Sequence, residues 1–192
     1  DDDLSRGLGD VYKRQDGDDF QIVAINDLAP AETAALLLEL DSTHGRLARP
    51  VSHGDGYIEV DGQRIDYISH RDPESCAWGK RGIDLVMECT GIFTAAEDAR
   101  RHIEAGAGTV LVSAPSKGAD ATIVFGVNHD SLESGMQIVS NASCTTNCLA
   151  PVASALHAAC GINQGFMTTI HAYTGDQNLS LIHISEPTRQ IV

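Results

Sequence analysis

The sequence predicts an α/β fold: a doubly wound, mostly parallel sheet lacking its first strand, followed by the start of an α+β region. Three observations predict it. Short apolar runs rich in β-branched residues recur along the chain, and their near-continuous apolar character fits a parallel sheet covered on both faces. Helix-length segments with their own start and stop signals alternate with those runs. The runs end in small or polar residues, at the edge where open α/β sheets take ligands.

Composition sets the outer bounds. The 192 residues are 42% apolar and 21% charged, enough to bury a core. Against 27 acidic residues stand 13 basic ones, a net charge of −14. Such a charge argues against nucleic acid or an anionic membrane as partner, while leaving room for a local pocket that takes a small anion. No apolar run approaches the roughly 18 residues of a membrane span, and no secretory leader is read at the start. Five cysteines at irregular spacing fit a reducing compartment, read here as the cytoplasm, with at least one thiol free for chemistry.

The elements follow in order. Residues 1–19 hold seven Asp and three basic residues and little to bury, so they read as foreign to the fold and disordered. Phe20–Ile25 is a strand closed by Asn26-Asp27. Pro30 opens a helix over Ala31–Leu40, since proline is tolerated where the first N–H lacks a partner. Tyr57–Val60 and Arg64–Ile68 flank Asp61-Gly62 and form a hairpin. Ile83–Glu88 is a buried strand leading into Cys89-Thr90-Gly91. Thr94 is placed to cap a helix over Ala95–Ala105, with Glu97 as capping-box partner and Gly106 as its end. Thr109–Ser113, Thr122–Phe125 and Gln137–Val139 read as further strands. Ser180–Val192 follows no earlier pattern; this segment and GDVYKRQ near the start resemble translated sequencing-adapter DNA, which makes both ends foreign and the chain a fragment.

A dinucleotide crevice is expected at the carboxyl ends of the strands. Asp27 can accept from both ribose hydroxyls and would repel a 2′-phosphate, which favours NAD, although an Asn-Asp pair is equally a turn former. Thr90 and Gly91 offer a ligand close approach to the backbone, and Ser113 ends the next strand. The glycine-rich phosphate turn should precede Asp27 by about 20 residues. Gly7-Leu8-Gly9 fails as that turn, because no strand precedes it and Tyr12 sits where a small residue must pack.

The chemistry concentrates in Ser140–Pro151, SNASCTTNCLAP. Asn141 or Ser143 can cap a helix from about Cys144 to Ala159, placing Cys144 in the first turn. Unpaired N–H groups and the helix dipole there favour a thiolate. Cys148, one turn deeper on the apolar stripe, reads as a small buried residue. A Cys144–Cys148 metal pair lacks two further ligands, so no metal is expected. The partner base is His171. The helix carries the chain roughly 22 Å away from Cys144, and Phe166–His171, read as a strand, returns it about 20 Å. The remaining histidines read as surface or packing residues. Hydroxyls of Ser143 and Thr145, joined by Thr174, add an anion site beside the thiol. A nucleophilic cysteine, a phosphate site and a dinucleotide crevice together point to oxidation of a phosphorylated aldehyde.

SNASCTTNCLAP closely resembles the active-site signature of phosphorylating glyceraldehyde-3-phosphate dehydrogenases. The resemblance extends through VAINDL, DSTHGR, HRDP, ECTGIF, SAPSKGAD and TTIHAYTGDQ, over about residues 20–179. It implies a Rossmann-type NAD-binding domain over 20–143, the start of a catalytic domain over 144–179 and a foreign tail over 180–192. It further implies glyceraldehyde 3-phosphate and inorganic phosphate as partners, a homotetrameric full-length parent, and glycolysis as the setting. Cys144 resembles the nucleophile and His171 the base; Asp27, Arg71, Thr90, Gly91 and Ser113 resemble NAD contacts; Ser143, Cys144, Thr145 and Thr174 resemble substrate and phosphate contacts. Without the resemblance, Arg71 reads as a solvated arginine before Asp72-Pro73. The rival readings are an erythrose-4-phosphate dehydrogenase, an inactive dinucleotide-binding fragment, and a cysteine redox or metal module.

Overall fold

A parallel pair anchors the first half of the chain, which a computed structural model describes over residues 20–42 and 45–172. Strand β1 (Ala24–Asn26) pairs in parallel with β6 (Gln63–Ile68), Ala24 opposite Asp66 and Asn26 opposite Ile68. Helix α1 (Ala31–Glu39) starts at Pro30 and turns Ala35 and Leu38 inward. A two-stranded ribbon, β2 (Leu40–Asp41) and β3 (Gly45–Arg46), follows it. Then β4 (Val51–Gly54), β5 (Tyr57–Val60) and β6 form an antiparallel meander, giving the sheet order β1-β6-β5-β4. The expected hairpin closes at Asp61 and Gly62, with φ of +53° and +79°. Two left-handed residues in the turn match the twist of the flanking strands. Ile25, Leu38, Ile58, Val60 and Ile65 form the core of this unit.

The second unit is wholly parallel. Strands β7 (Leu85–Glu88), β8 (Thr109–Val112), β9 (Ala121–Thr122) and β10 (Ile138–Ser140) lie in the order β7-β8-β10-β9. Helix α2 (Ala96–Glu104) and two 3₁₀ turns, Pro73–Cys76 and Trp78–Arg81, contribute to its core with Val86, Val110, Val112 and Ile138. Ala24 and Ile68 pack against that core as well, so the two units share a seam. Helix α3 (Cys144–Cys160) leaves the sheet after β10, and none of its residues is buried. No helix among the described residues is long and apolar enough to cross a membrane.

Several expectations need correction. The single sheet is two four-stranded ladders, because among the described residues no strand bridges β1 and β7. Thr94 does not cap α2; Ala95 holds the cap position without a side-chain bond, and the Ala96 N–H goes to the Lys117 carbonyl at 3.0 Å. The strand expected over Thr122–Phe125 stops at Thr122, since Asn128 folds the chain back by accepting from the Val124 N–H and donating to the Thr122 carbonyl. Phe166–His171 returns toward Cys144 without forming a strand. The expected foreign segments 1–19 and 180–192, the rejected glycine turn and Thr174 lie outside the described residues.

Candidate functional site

Within each unit the parallel strands finish at a common edge. At the first, Asn26 fixes the chain after β6: its Nδ2 donates to the His70 carbonyl at 3.0 Å, and its Oδ1 accepts from the His70 N–H at 2.8 Å. Asp27 follows β1, and its N–H donates to the Ile68 carbonyl at 3.0 Å. One carboxylate oxygen, Oδ1, accepts from the Ala29 N–H at 2.9 Å and closes a turn. Asp27 is therefore a turn former, and its position places that carboxylate at the strand end. Tyr67 nearby donates its hydroxyl to the Ala29 carbonyl, and burial, aided by the Asp27 charge, pushes that phenol up to about 12. Arg71 is exposed on the segment that Asn26 anchors.

At the second edge, Glu88, Val112 and Ser140 stand in register across β7, β8 and β10. Thr90, Gly91 and Ser113 lie just past those positions and are exposed. The Ser113 N–H donates to the Glu88 carbonyl at 3.0 Å, and the Asn141 N–H to the Val112 carbonyl at 2.9 Å. Gly91 has φ +71°, and a Cβ built there would meet nothing within 4 Å. The turn is thus open enough for a ligand to reach its backbone.

Helix α3 begins on the same edge. Ser143 is its cap: Oγ accepts from the Thr146 N–H at 3.0 Å and pairs with the Thr146 hydroxyl at 2.8 Å. Cys144 is the first helical residue and is exposed. Its Sγ lies 3.1 Å from His171 Nε2. The other ring nitrogen, Nδ1, donates to the Ala172 carbonyl, which leaves Nε2 to face the sulfur. The thiol is held below its ordinary range, first by the His171 hydrogen bond and then by the Thr145 N–H and hydroxyl, against the pull of desolvation. The imidazole is correspondingly raised, first by the Ala172 carbonyl and then by the sulfur. These shifts favour a thiolate facing an imidazolium. By contrast Cys76 is buried, and burial pushes its thiol up to about 11.

The structure therefore brings Cys144, Ser143, Thr145 and His171 together. It corrects the reading of Cys148, which is exposed, because no described element covers the apolar stripe of α3. Sequence reasoning also missed a buried group. His102, read as a surface or packing residue, is 4% exposed and bonded on both ring nitrogens to Trp78 and Glu88. The available signal was an acidic residue ending an apolar strand.

Two family profiles match the chain. Residues 8–96 match "Glyceraldehyde 3-phosphate dehydrogenase, NAD binding domain", and residues 143–190 match the C-terminal domain of the same family. The glyceraldehyde-3-phosphate dehydrogenase of Pseudomonas aeruginosa is 52% identical over 173 residues, covering 90% of this chain and 52% of that protein. That of Cereibacter sphaeroides is 56% identical over 159 residues, 83% of this chain and 47% of the relative. The Geobacillus stearothermophilus protein is 52% identical over 162 residues, with coverage of 84% and 48%. The chain spans about half the length of these relatives. With both profiles matched in chain order and a mixed α/β fold carrying a parallel sheet beneath the site, the chain belongs to the glyceraldehyde 3-phosphate dehydrogenase family.

Proposed function

We propose that the protein carries out NAD-dependent oxidative phosphorylation of glyceraldehyde 3-phosphate to 1,3-bisphosphoglycerate, through a thioester on Cys144. The reading rests above all on one observation, the 3.1 Å approach of Cys144 Sγ to His171 Nε2 at a capped helix start. The Cys144 thiolate adds to the aldehyde carbon, and the new alkoxide takes a proton from the His171 imidazolium. The adduct is a hemithioacetal. His171 then accepts the hydroxyl proton as the carbon–hydrogen bond breaks, leaving the acyl group on sulfur. NAD, when bound, supplies the acceptor for the departing hydride. An oxygen of inorganic phosphate attacks the thioester carbon, the acyl phosphate leaves, and Cys144 departs as the thiolate it was before.

Asp27, Arg71, Thr90, Gly91 and Ser113 are the residues that would hold NAD. They fit it on two counts: the open backbone at Gly91, and an Asp27 carboxylate whose turn commits only Oδ1. Ser143, Thr145 and Thr174 would hold phosphate groups. In this reading residues 20–143 are the NAD-binding part and 144–179 the start of the catalytic part. The working enzyme is a cytoplasmic homotetramer.

Rapid mixing with NAD and glyceraldehyde 3-phosphate tests the reading. One equivalent of NADH per chain is expected before phosphate is added, and none from Cys144→Ser. NAD binding without that burst would reduce the chain to a dinucleotide-binding fragment. Faster turnover of erythrose 4-phosphate would replace the substrate.

A further inference from the structure

Carboxylates are seldom buried unless every oxygen has a partner. Glu88, the last residue of β7, is 3% exposed. Its Oε1 accepts from the Thr90 N–H at 2.7 Å and from the Thr90 hydroxyl. That hydroxyl in turn accepts from the Ile92 N–H at 3.1 Å. Its Oε2 faces His102 Nε2 at 2.8 Å. On the far side of the ring, Trp78 Nε1 lies 3.0 Å from His102 Nδ1.

The direction of this chain is dictated by chemistry. An indole N–H can only donate, so His102 Nδ1 must accept. The ring therefore carries its hydrogen on Nε2 and donates it to Glu88. A backbone N–H also can only donate, so Thr90 requires an acceptor on the other oxygen. Both oxygens of residue 88 must accept, and only a carboxylate satisfies that. An amide of the same shape has one accepting oxygen and fails on one side or the other.

We propose that Glu88 is a positioning residue for the Thr90–Gly91 turn, its carboxylate fastening the turn to His102 on helix α2 and, through that ring, to Trp78 on the second 3₁₀ turn. The inference rests on the proposed function, in which that turn lines the NAD crevice. At 3% exposed Glu88 offers a ligand almost no surface; its role is to set the backbone of the turn. Phe93 packs edge-on against His102 at 6.1 Å between centroids, so the ring is held on its free side as well.

The test uses the whole chain with Glu88→Gln, Trp78→Phe and the double variant, read by amide hydrogen exchange and by equilibrium binding of NAD. Glu88→Gln is expected to speed exchange at Thr90 about tenfold beyond any change at Val110, a buried strand amide that reports general opening, and to weaken NAD about tenfold. Trp78→Phe releases Nδ1, so the ring can move its hydrogen there and accept from the new amide at Nε2. Glu88→Gln should then cost less than about threefold in the Trp78→Phe background. Equal acceleration at Thr90 and Val110, strictly additive effects of the two substitutions, or unchanged NAD affinity in Glu88→Gln would each overturn the proposal. A wild-type chain that binds no NAD would instead remove the functional reading, and the exchange comparison would still decide whether Glu88 sets the turn.

Discussion

At the scale of single residues, two cysteines one helical turn apart face different fates. Both are exposed, so access does not separate them. What separates them is that Cys144 sits at the open helix start against His171, while Cys148 lies a turn beyond it. Ordinary thiols lose their thiolate, and with it their reactivity, as pH falls below about 8.5. The lowered thiol and raised imidazole of the Cys144 pair keep the thiolate through that fall. Iodoacetamide is therefore expected to label Cys144 at pH 7 at least about tenfold faster than Cys148, with a rate that stays flat toward lower pH. His171→Ala should move Cys144 toward the ordinary profile, leaving only the smaller lowering by Thr145, with its rate at pH 7 down by about tenfold. Mass spectrometry of the labelled peptides measures both, and equal labelling of the two cysteines would refute the assignment. A second residue-scale case is Asp120, whose Oδ2 accepts from the N–H groups of Gln137 and Ile138 and joins the ends of β9 and β10. Those two bonds hold its carboxyl below the usual range. Its contribution is complete above the unfolded value near 4 and is lost as pH falls through the lower folded one. Asp120→Ala should cost about 1–2 kcal/mol in urea unfolding at pH 7, and Asp120→Asn less, because one amide oxygen can still accept both bonds.

Among the elements, local rules fared best where the deciding atoms are close in sequence. The Asp61-Gly62 turn and the Pro30 helix start were legible, and the cap of α3 was narrowed to Asn141 or Ser143, because each depends on a backbone angle or a bond spanning three residues. The start of α2 was not, because its first N–H is satisfied by Lys117, twenty-one residues later. Glu88 and His102 escaped for the same reason: their spacing of fourteen carries no periodic signal. Apart from the family resemblance, His171 was legible through the lengths of the path out and back, and the return works without the strand that was expected to carry it. Glycines show the same contrast in energetic form. Gly106 ends α2 at φ +99°, and a Cβ there would lie 2.6 Å from the Cα and N of Gly79. Gly62 has φ +79° and open space around it. Gly106→Ala combines backbone strain with a backbone clash and should cost about 3 kcal/mol or more, whereas Gly62→Ala should cost about 1 kcal/mol. Urea midpoints of the two variants compare them directly, and similar losses would mean that the Gly79 contact relaxes freely.

Over the whole molecule, stability and chemistry reside in different places. The two cores draw on strands and helices between Ile25 and Ile138, while the thiol and imidazole sit on α3 and the segment after it. That segment, 161–172, is exposed throughout and carries no strand pairing. Proteases need several residues of extended chain, so among the described residues it is the preferred place for a first cut. Phe166 is 98% exposed there. Phe125 is also exposed, but the N–H groups on either side of it, Val124 and Gly126, are bound by Asn128 and His129 in a tight turn. Brief chymotrypsin treatment is expected to cut after Phe166 before Phe125. The described contacts that hold His171 are the carbonyl of its own neighbour Ala172 and Cys144 itself, so the cut should release the ring. Labelling of Cys144 should then slow by about tenfold toward the rate of Cys148, with the urea midpoint unchanged because neither core has lost a residue. A clipped chain that still labels Cys144 at the intact rate would mean that the helix start alone keeps the sulfur ionised, and that the imidazole is free to serve only in the later proton transfers.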